Sequence, residues 1–316
     1  MVFLAKSRRF KKTQRSFCEP LQSITAAMDK TEVNALISLL DDPDEQVFNQ
    51  IKEKLLSMGI DVIPVLESAW ENSFDSVLQQ RIEAIIHKIQ FDNLRRSLRE
   101  WALPEHQDLL TGALLVARSQ YPDIDEAHIR KHIEQIKQDI WLELNNNLTA
   151  LEKVRVINHI LFDVHGFSAN TQNYHAPQNS YINNVLETKK GNPVSLSIIY
   201  AVIAQDLRIP VYGVNLPEHF ILAYVDVTSG FHPGDDDPDK VLFYINPFSR
   251  GAPVNKKEID SFLKQQRLDP KAEFFTPCSN LMIVRRMLNN LIASYEKLGY
   301  PNKVDELKVL WKALED

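Results

Sequence analysis

Apolar residues recur at helical spacing along the first half of the chain, and strand spacing appears only after residue 210. Val33, Leu36, Ile37 and Leu40 mark a first amphipathic helix. The run Asp42-Pro43-Asp44-Glu45 restarts a helix: Asp42 can cap, Pro43 suits the first helical position and Glu45 completes a capping box. Val47, Ile51 and Leu55 carry that stripe to Gly59, which ends it. Val62, Val65 and Leu66 predict a short helix, and Ile82, Ile85, Ile86 and Ile89 a longer one. Paired helices of this kind predict helical hairpins over residues 29–100, HEAT-like in pattern. A second helical block runs from about Glu105 to Phe162. Its stripes are Leu110, Ala113, Leu114 and Ala117, then Ile129, Ile133, Ile136 and Ile140. After the break at Asn145-Asn146-Asn147, Thr149 and Glu152 form a capping box for a helix with Val154, Ile157 and Leu161 inward.

The pattern changes after His165-Gly166. Residues 167–190 are polar and read as a loop. A helix then runs from Pro193 to about Leu207, with Leu196, Ile199, Tyr200, Ile203 and Leu207 inward. Two strands follow, Val211–Asn215 and His219–Asp226, and a third, Val241–Ile245, lies beyond the exposed acidic loop Thr228–Lys240. After Cys278 two more helices are predicted, one lined by Leu281, Val284, Leu288, Leu291 and Tyr295. Its partner is lined by Val304, Leu307, Trp311 and Leu314. The expected organisation is a basic, disordered leader (1–28), helical hairpins (29–100), an α+β core with a helical lead-in (101–277) and a C-terminal helical hairpin (278–316).

Composition narrows the function. Only 9 glycines in 316 residues argue against a loop-dominated all-β protein. No apolar run is long enough to cross a membrane, so no membrane insertion is expected. Cys18 and Cys278 give neither a disulfide framework nor a Cys-x-x-Cys pair, which points to the cytoplasm. Six of the 36 basic residues precede Glu19, leaving 30 against 42 acidic residues in the body. So acidic a body is a poor partner for nucleic acid. No cofactor or metal is expected: His128 and His132 have the i, i+4 spacing of a zinc pair but no third ligand, and they read as a solvated helix face.

The chemistry-bearing pattern is a helix, then a histidine on the next strand, then an acid or amide ending the strand after it. A thiol at the helix N-terminus is acidified by the helix dipole, the histidine takes its proton, and the third group fixes the imidazole tautomer. In this chain the three positions are Pro193, in Gly191-Asn192-Pro193-Val194-Ser195, then His219, and Asn246 in Asn246-Pro247-Phe248. Proline carries no nucleophile, but after an Asn192 cap it is a favourable helix start. His219 shares its strand with Ile221, Ala223 and Val225, and the residues leave a pocket role and a structural role both open.

These stretches resemble the transglutaminase-like core of bacterial SirB-type proteins, a domain related to one in certain F-box proteins. The resemblance is carried by Asn158–Phe162, Gly166–Asn170, Asn179-Ser180-Tyr181, Val185-Leu186-Glu187, Lys190–Leu196, Gly213–Phe220, Asn246-Pro247-Phe248 and Arg286–Leu291. It implies a papain/transglutaminase-like core, a helix packed on a small antiparallel sheet. In the SirB-type branch proline at the thiol position is usual.

Replacement nucleophiles fit poorly. Ser195 lies about 200° around the helix from Pro193, and Ser197 returns to the same face about 6 Å deeper. Cys278 follows Thr276-Pro277 at a helix start that could favour its thiolate, but nothing in the sequence places it near His219. No catalytic residue is therefore expected. Tyr174, His175, Asn192, Ser195, Glu218, His219 and Asn246 are the candidates for lining a relic cleft. The leading expectation is a non-catalytic module that binds a protein or peptide. The alternatives are a hydrolase or acyltransferase using a substitute nucleophile or a His219-activated water, and a structural scaffold. The oligomeric state is left open.

Overall fold

The computed structural model describes residues 30–103, 107–230 and 237–315; the expected leader, 1–28, lies outside them, as does Cys18. The first helices are α1 (Lys30–Ile37), α2 (Glu45–Ser57), α3 (Ile63–Asn72) and α4 (Ser76–Ala102). Then come α5 (Leu109–Arg118), α6 (Glu126–Glu143), α7 (Ala150–Asn158), α8 (Ile182–Thr188) and α9 (Pro193–Asp206). The last are α10 (Lys256–Gln265), α11 (Asn280–Leu298) and α12 (Pro301–Lys312). The strands are β1 (Ser168–Ala169), β2 (Lys190–Gly191), β3 (Val211–Val214), β4 (Ile221–Val225), β5 (Val241–Asn246) and β6 (Ala252–Val254). The chain divides between Ile86 and His87, inside α4 and ahead of the boundary expected after residue 100.

In the first unit the stripes read from the sequence are buried: Val33, Leu40, Leu55, Leu66, Ile82 and Ile85 are shut off from solvent. The start of α2 differs from expectation. Asp44, not Asp42, is the N-cap, accepting from Gln46 N–H at 2.8 Å, while Asp42 accepts from the Asp44 N–H at 2.8 Å. Two overlapping turns thus keep Pro43 outside the helix. The Arg81 guanidinium donates to the Leu40 and Asp42 carbonyls and lies 4.4 Å over the Phe48 ring.

The second unit is built around α9. Twelve of its fourteen residues are buried, from Pro193 to Ala204, so it is apolar all round, as a central helix must be. Helices α5, α6, α8 and α11 pack on it, and so do β3 and β4. The sheet is antiparallel in the order β3-β4-β5-β6, with Val214 opposite Ile221, Leu222 opposite Ile245, and Asn246 opposite Ala252. Leu222, Tyr224 and Ile245 face the α9 core. Ile221, Ala223, Val225 and Tyr244 face a second cluster with Ile259 and Leu263 of α10. Strand β4 is therefore buried on both faces.

Three local features depart from the sequence reading. The segment expected as a loop, 167–190, contains β1, β2 and α8. Strand β6 and α10 also go beyond it, although Asn255 and Glu258 form a capping box that opens α10. His219 stands in the turn before β4 rather than on the strand. Its N–H donates to the Leu216 carbonyl at 3.2 Å, which closes the turn.

Candidate functional site

The helix end of the expected site is closed from within. Asn192 caps α9, its Oδ1 accepting from the Ser195 N–H at 2.9 Å, and the Ser195 Oγ accepts from the Asn192 N–H at 3.0 Å. Ser195 Oγ also donates to the Asn179 carbonyl at 2.6 Å, and Asn192 Nδ2 donates to Ser180 Oγ at 2.8 Å. Asn192 is 7% exposed and Ser195 1%. Both were expected to line a cleft; their polar atoms instead bond to the chain around them. Asn179 extends the closure, donating to the Asn173 and Tyr174 carbonyls at 2.8 and 3.0 Å. The approach is tight enough that a Cβ on Gly191 would lie 2.6 Å from Ser195 Oγ. Pro193 sits at the helix start and is buried. Ser197 is 0% exposed, with its Oγ buried and unpartnered, so it cannot meet a substrate.

The strand end is different. Asn246 ends β5, and its Nδ2 lies 3.2 Å from His219 Nε2. Asn246 Oδ1 accepts from the Ser249 N–H at 3.3 Å, which orients the amide with its nitrogen toward the imidazole. Nε2 is then the acceptor, and the neutral ring carries its proton on Nδ1. Burial first, and then the Arg286 charge, lower the His219 pKa, so the neutral form prevails. In a Cys-His-Asn site the amide oxygen receives the imidazole N–H. Here the amide is turned the other way. The pair borders a cavity of about 200 Å³ that Leu216, Ile221, Val254, Glu258, Ile259 and Phe262 also line, and Pro193 is not on its wall.

Sequence reasoning overlooked Arg286. Its Nη1 donates to Asn215 Oδ1 at 3.0 Å and to the Leu216 carbonyl at 3.2 Å, pinning the turn that carries His219. Burial lowers its pKa, while Glu218, Tyr174 and Cys278 oppose the shift. Within that turn Glu218 holds a left-handed φ of 57°, a strained conformation for a residue with a Cβ. Arg286 lies in the run that carried the family resemblance, but no local pattern assigns it a contact with residues some seventy positions away.

Cys278 adjoins this cluster, because the Asn215 N–H and the Arg286 charge both act on its thiol. Burial is the larger effect and pushes the thiol up to about 12, the reverse of the thiolate expected at a helix start. Tyr174 packs edge-on against Phe248, ring centroids 5.8 Å apart. His175 is exposed, meets Lys297 Nζ at 3.1 Å and does not line the cavity beside the His219–Asn246 pair. Among the described residues no three His, Cys, Asp or Glu side chains are placed to hold a metal, and no helix is long and apolar enough to cross a membrane.

The chain is similar to a UPF0162 protein of Xylella fastidiosa (strain 9a5c), 30% identical over 202 residues, 59% of this chain and 64% of the relative. It thus spans somewhat under two thirds of that relative's length. The Escherichia coli K12 protein YchA, also a UPF0162 protein, is 24% identical over 59% of this chain and 66% of its own. The mouse F-box only protein 21 is 28% identical over 45% of this chain but only 22% of its own. No solved structure matches. The description "Transglutaminase-like superfamily" fits residues 127–289, just over half of the chain, a span that holds α9, the whole sheet and Arg286. The chain belongs to the transglutaminase-like superfamily.

Proposed function

We propose that this protein is a non-catalytic transglutaminase-like module that binds a protein or peptide partner, with the His219–Asn246 cavity receiving one side chain of it. One observation carries the reading: Pro193 occupies the nucleophile position behind a closed cap, while His219 and Asn246 still border a cavity. That cavity, about 200 Å³, falls below the roughly 300–1,000 Å³ of ordinary small-molecule sites but suits one anchoring side chain. Its apolar walls carry one imidazole, one amide and the Glu258 carboxylate, and favour an aromatic or aliphatic side chain that ends in a hydrogen-bond donor. The kinship with the SirB-type branch belongs to the same proposal, since proline at the thiol position is usual there. So does the cytoplasm as its compartment, for which the cysteine usage speaks.

Display of random peptides against the intact chain tests it. Peptides should bind with an affinity that falls about tenfold or more in His219→Ala, the effect expected of an anchoring contact. Peptides that bind His219→Ala and the parent equally would overturn the reading, as would release of ammonia from glutamine peptides.

A second reading has one observation in its favour, the Cys278 thiol beside Arg286. On that reading Cys278 is a substitute nucleophile. It requires stoichiometric alkylation of folded protein at neutral pH and turnover that Cys278→Ala abolishes. A thiol pushed up to about 12 argues against both.

A further inference from the structure

A second and larger cavity, about 760 Å³, opens between the chain leading into α6, α6 itself and α8, and shares no lining residue with the His219 cavity. Its apolar wall comprises Tyr121, Ile124, Ile129 and Leu186, and its volume is that of ordinary small-molecule sites. Lys189 and His132 supply the polar wall.

Lys189 is held firmly. It ends α8 in a left-handed conformation, φ 58°, with its N–H on the Val185 carbonyl and its own carbonyl accepting from the Ser168 N–H at 2.8 Å. Its Nζ lies 2.8 Å from His132 Nε2 and 4.6 Å over the Phe167 ring. Among the described residues no carboxylate pairs with it. Burial lowers its pKa with no opposing charge, and burial and Lys189 together lower that of His132. His132 is thus an acceptor for Lys189 on the cavity wall, a correction to the solvated face expected of it, whereas His128 is exposed as expected. Asn183, on the same wall, has its amide oxygen buried without a partner.

A half-buried cation is ordinarily matched by an anion, and an amide normally finds its bonds. Here Lys189 has an imidazole and an aromatic ring but, among the described residues, no anion, and the Asn183 amide oxygen has no partner. The rim carries Asp123, Asp125 and Glu187. Those charges repel ligands with several negative groups, such as nucleotides, and tolerate a single carboxylate that passes them to reach Lys189.

We propose that this cavity binds a small amphipathic monocarboxylate, its carboxylate on Lys189, its apolar body on Tyr121, Ile124 and Leu186, and the Asn183 amide turned to meet a polar group. The site is independent of the peptide-binding reading and stands or falls separately.

The test is NMR titration of the full chain with aryl and alkyl monocarboxylates, each beside its own primary amide. Carboxylates should shift backbone signals within residues 120–132 and 182–190, and each should bind about tenfold or more tightly than its amide, the margin of a charge-assisted bond over a neutral one. Lys189→Met should erase that margin and Lys189→Arg should keep part of it. Equal binding of acid and amide to the parent protein overturns the proposal without any variant. So do the absence of shifts with every carboxylate, shifts confined to the His219 turn, and an unchanged margin in Lys189→Met.

Discussion

The two ends of the candidate site are built in opposite ways. At the helix end Asn192, Ser195, Ser180 and Asn179 bond to one another and to the backbone, and solvent is excluded. At the strand end His219 and Asn246 touch, but beside a cavity and with the imidazole only partly buried. The contrast teaches that Pro193 sits in closed surroundings and is not a bare difference at one otherwise open position. The polar groups at the helix end hold the fold from within, whereas those at the strand end bond to one another and to Ser249 at the edge of a cavity.

If this contrast is correct, Asn192→Ala has the largest effect. It removes the cap of a central helix and leaves Ser180 Oγ and the Ser195 N–H unpaired in the interior, at a cost of about 3 kcal/mol by denaturant unfolding. Ser195→Ala should cost about 2 kcal/mol, since it removes both buried bonds of Ser195 Oγ and leaves the Asn192 N–H only its long 3.4 Å bond to the Asn179 carbonyl. At the strand end His219→Ala and Asn246→Ala should each cost about 1 kcal/mol or less. Equal losses at the two ends would break the comparison.

Pro193→Cys sharpens it. Stability should change by about 1 kcal/mol or less, because Pro193 forms no hydrogen bond that is lost and its main contribution is a restricted unfolded chain. Turnover of glutamine peptides, read as ammonia release, should stay absent. The new thiol would lie behind the Asn192–Ser195 box, and the His219 lone pair is directed at Asn246.

The smallest effect concerns pH. Burial and Arg286 hold His219 below its ordinary 6.5 in the folded state, so the unfolded chain takes up this proton first on acidification. The contribution is fully present above pH 6.5 and is lost as pH falls through the lower, folded value. His132 shifts in the same direction. Thermal midpoints followed downward from neutral pH should therefore fall less steeply in His219→Gln than in the parent.

What the sequence made legible was local chemistry. Asn192 before Pro193 and an apolar run announce the start of α9, and Thr149 with Glu152 announces α7, whose capping box forms as read. Helix α8 escaped notice because it is short, lies among asparagines and follows Tyr181, whose side chain makes no capping bond. It persists because Ile182, Val185 and Leu186 are buried, which is a tertiary effect. The cap of α2 was misread by two residues because Asp42 and Asp44 offer the same carboxylate, and only the turn geometry selects between them. In the site, chain order brought His219 and Asn246 forward as a pair. The orientation of the Asn246 amide depends on Ser249, and the Arg286 pin on a helix far along the chain; neither leaves a trace in spacing.

Arg286 also sets a timetable. Its bond to Asn215 joins residues 71 positions apart, and the Leu216 carbonyl it holds is the one that closes the His219 turn. A chain emerging from the ribosome can pair β3, β4 and β5 well before α11 exists. During that interval the His219 turn lacks its arginine, and the cavity beside it has no fixed wall at Leu216. The nascent protein thus passes through a stage with its sheet made and the wall of the His219 cavity unmade, a wall fixed only once α11 has been synthesised and docked.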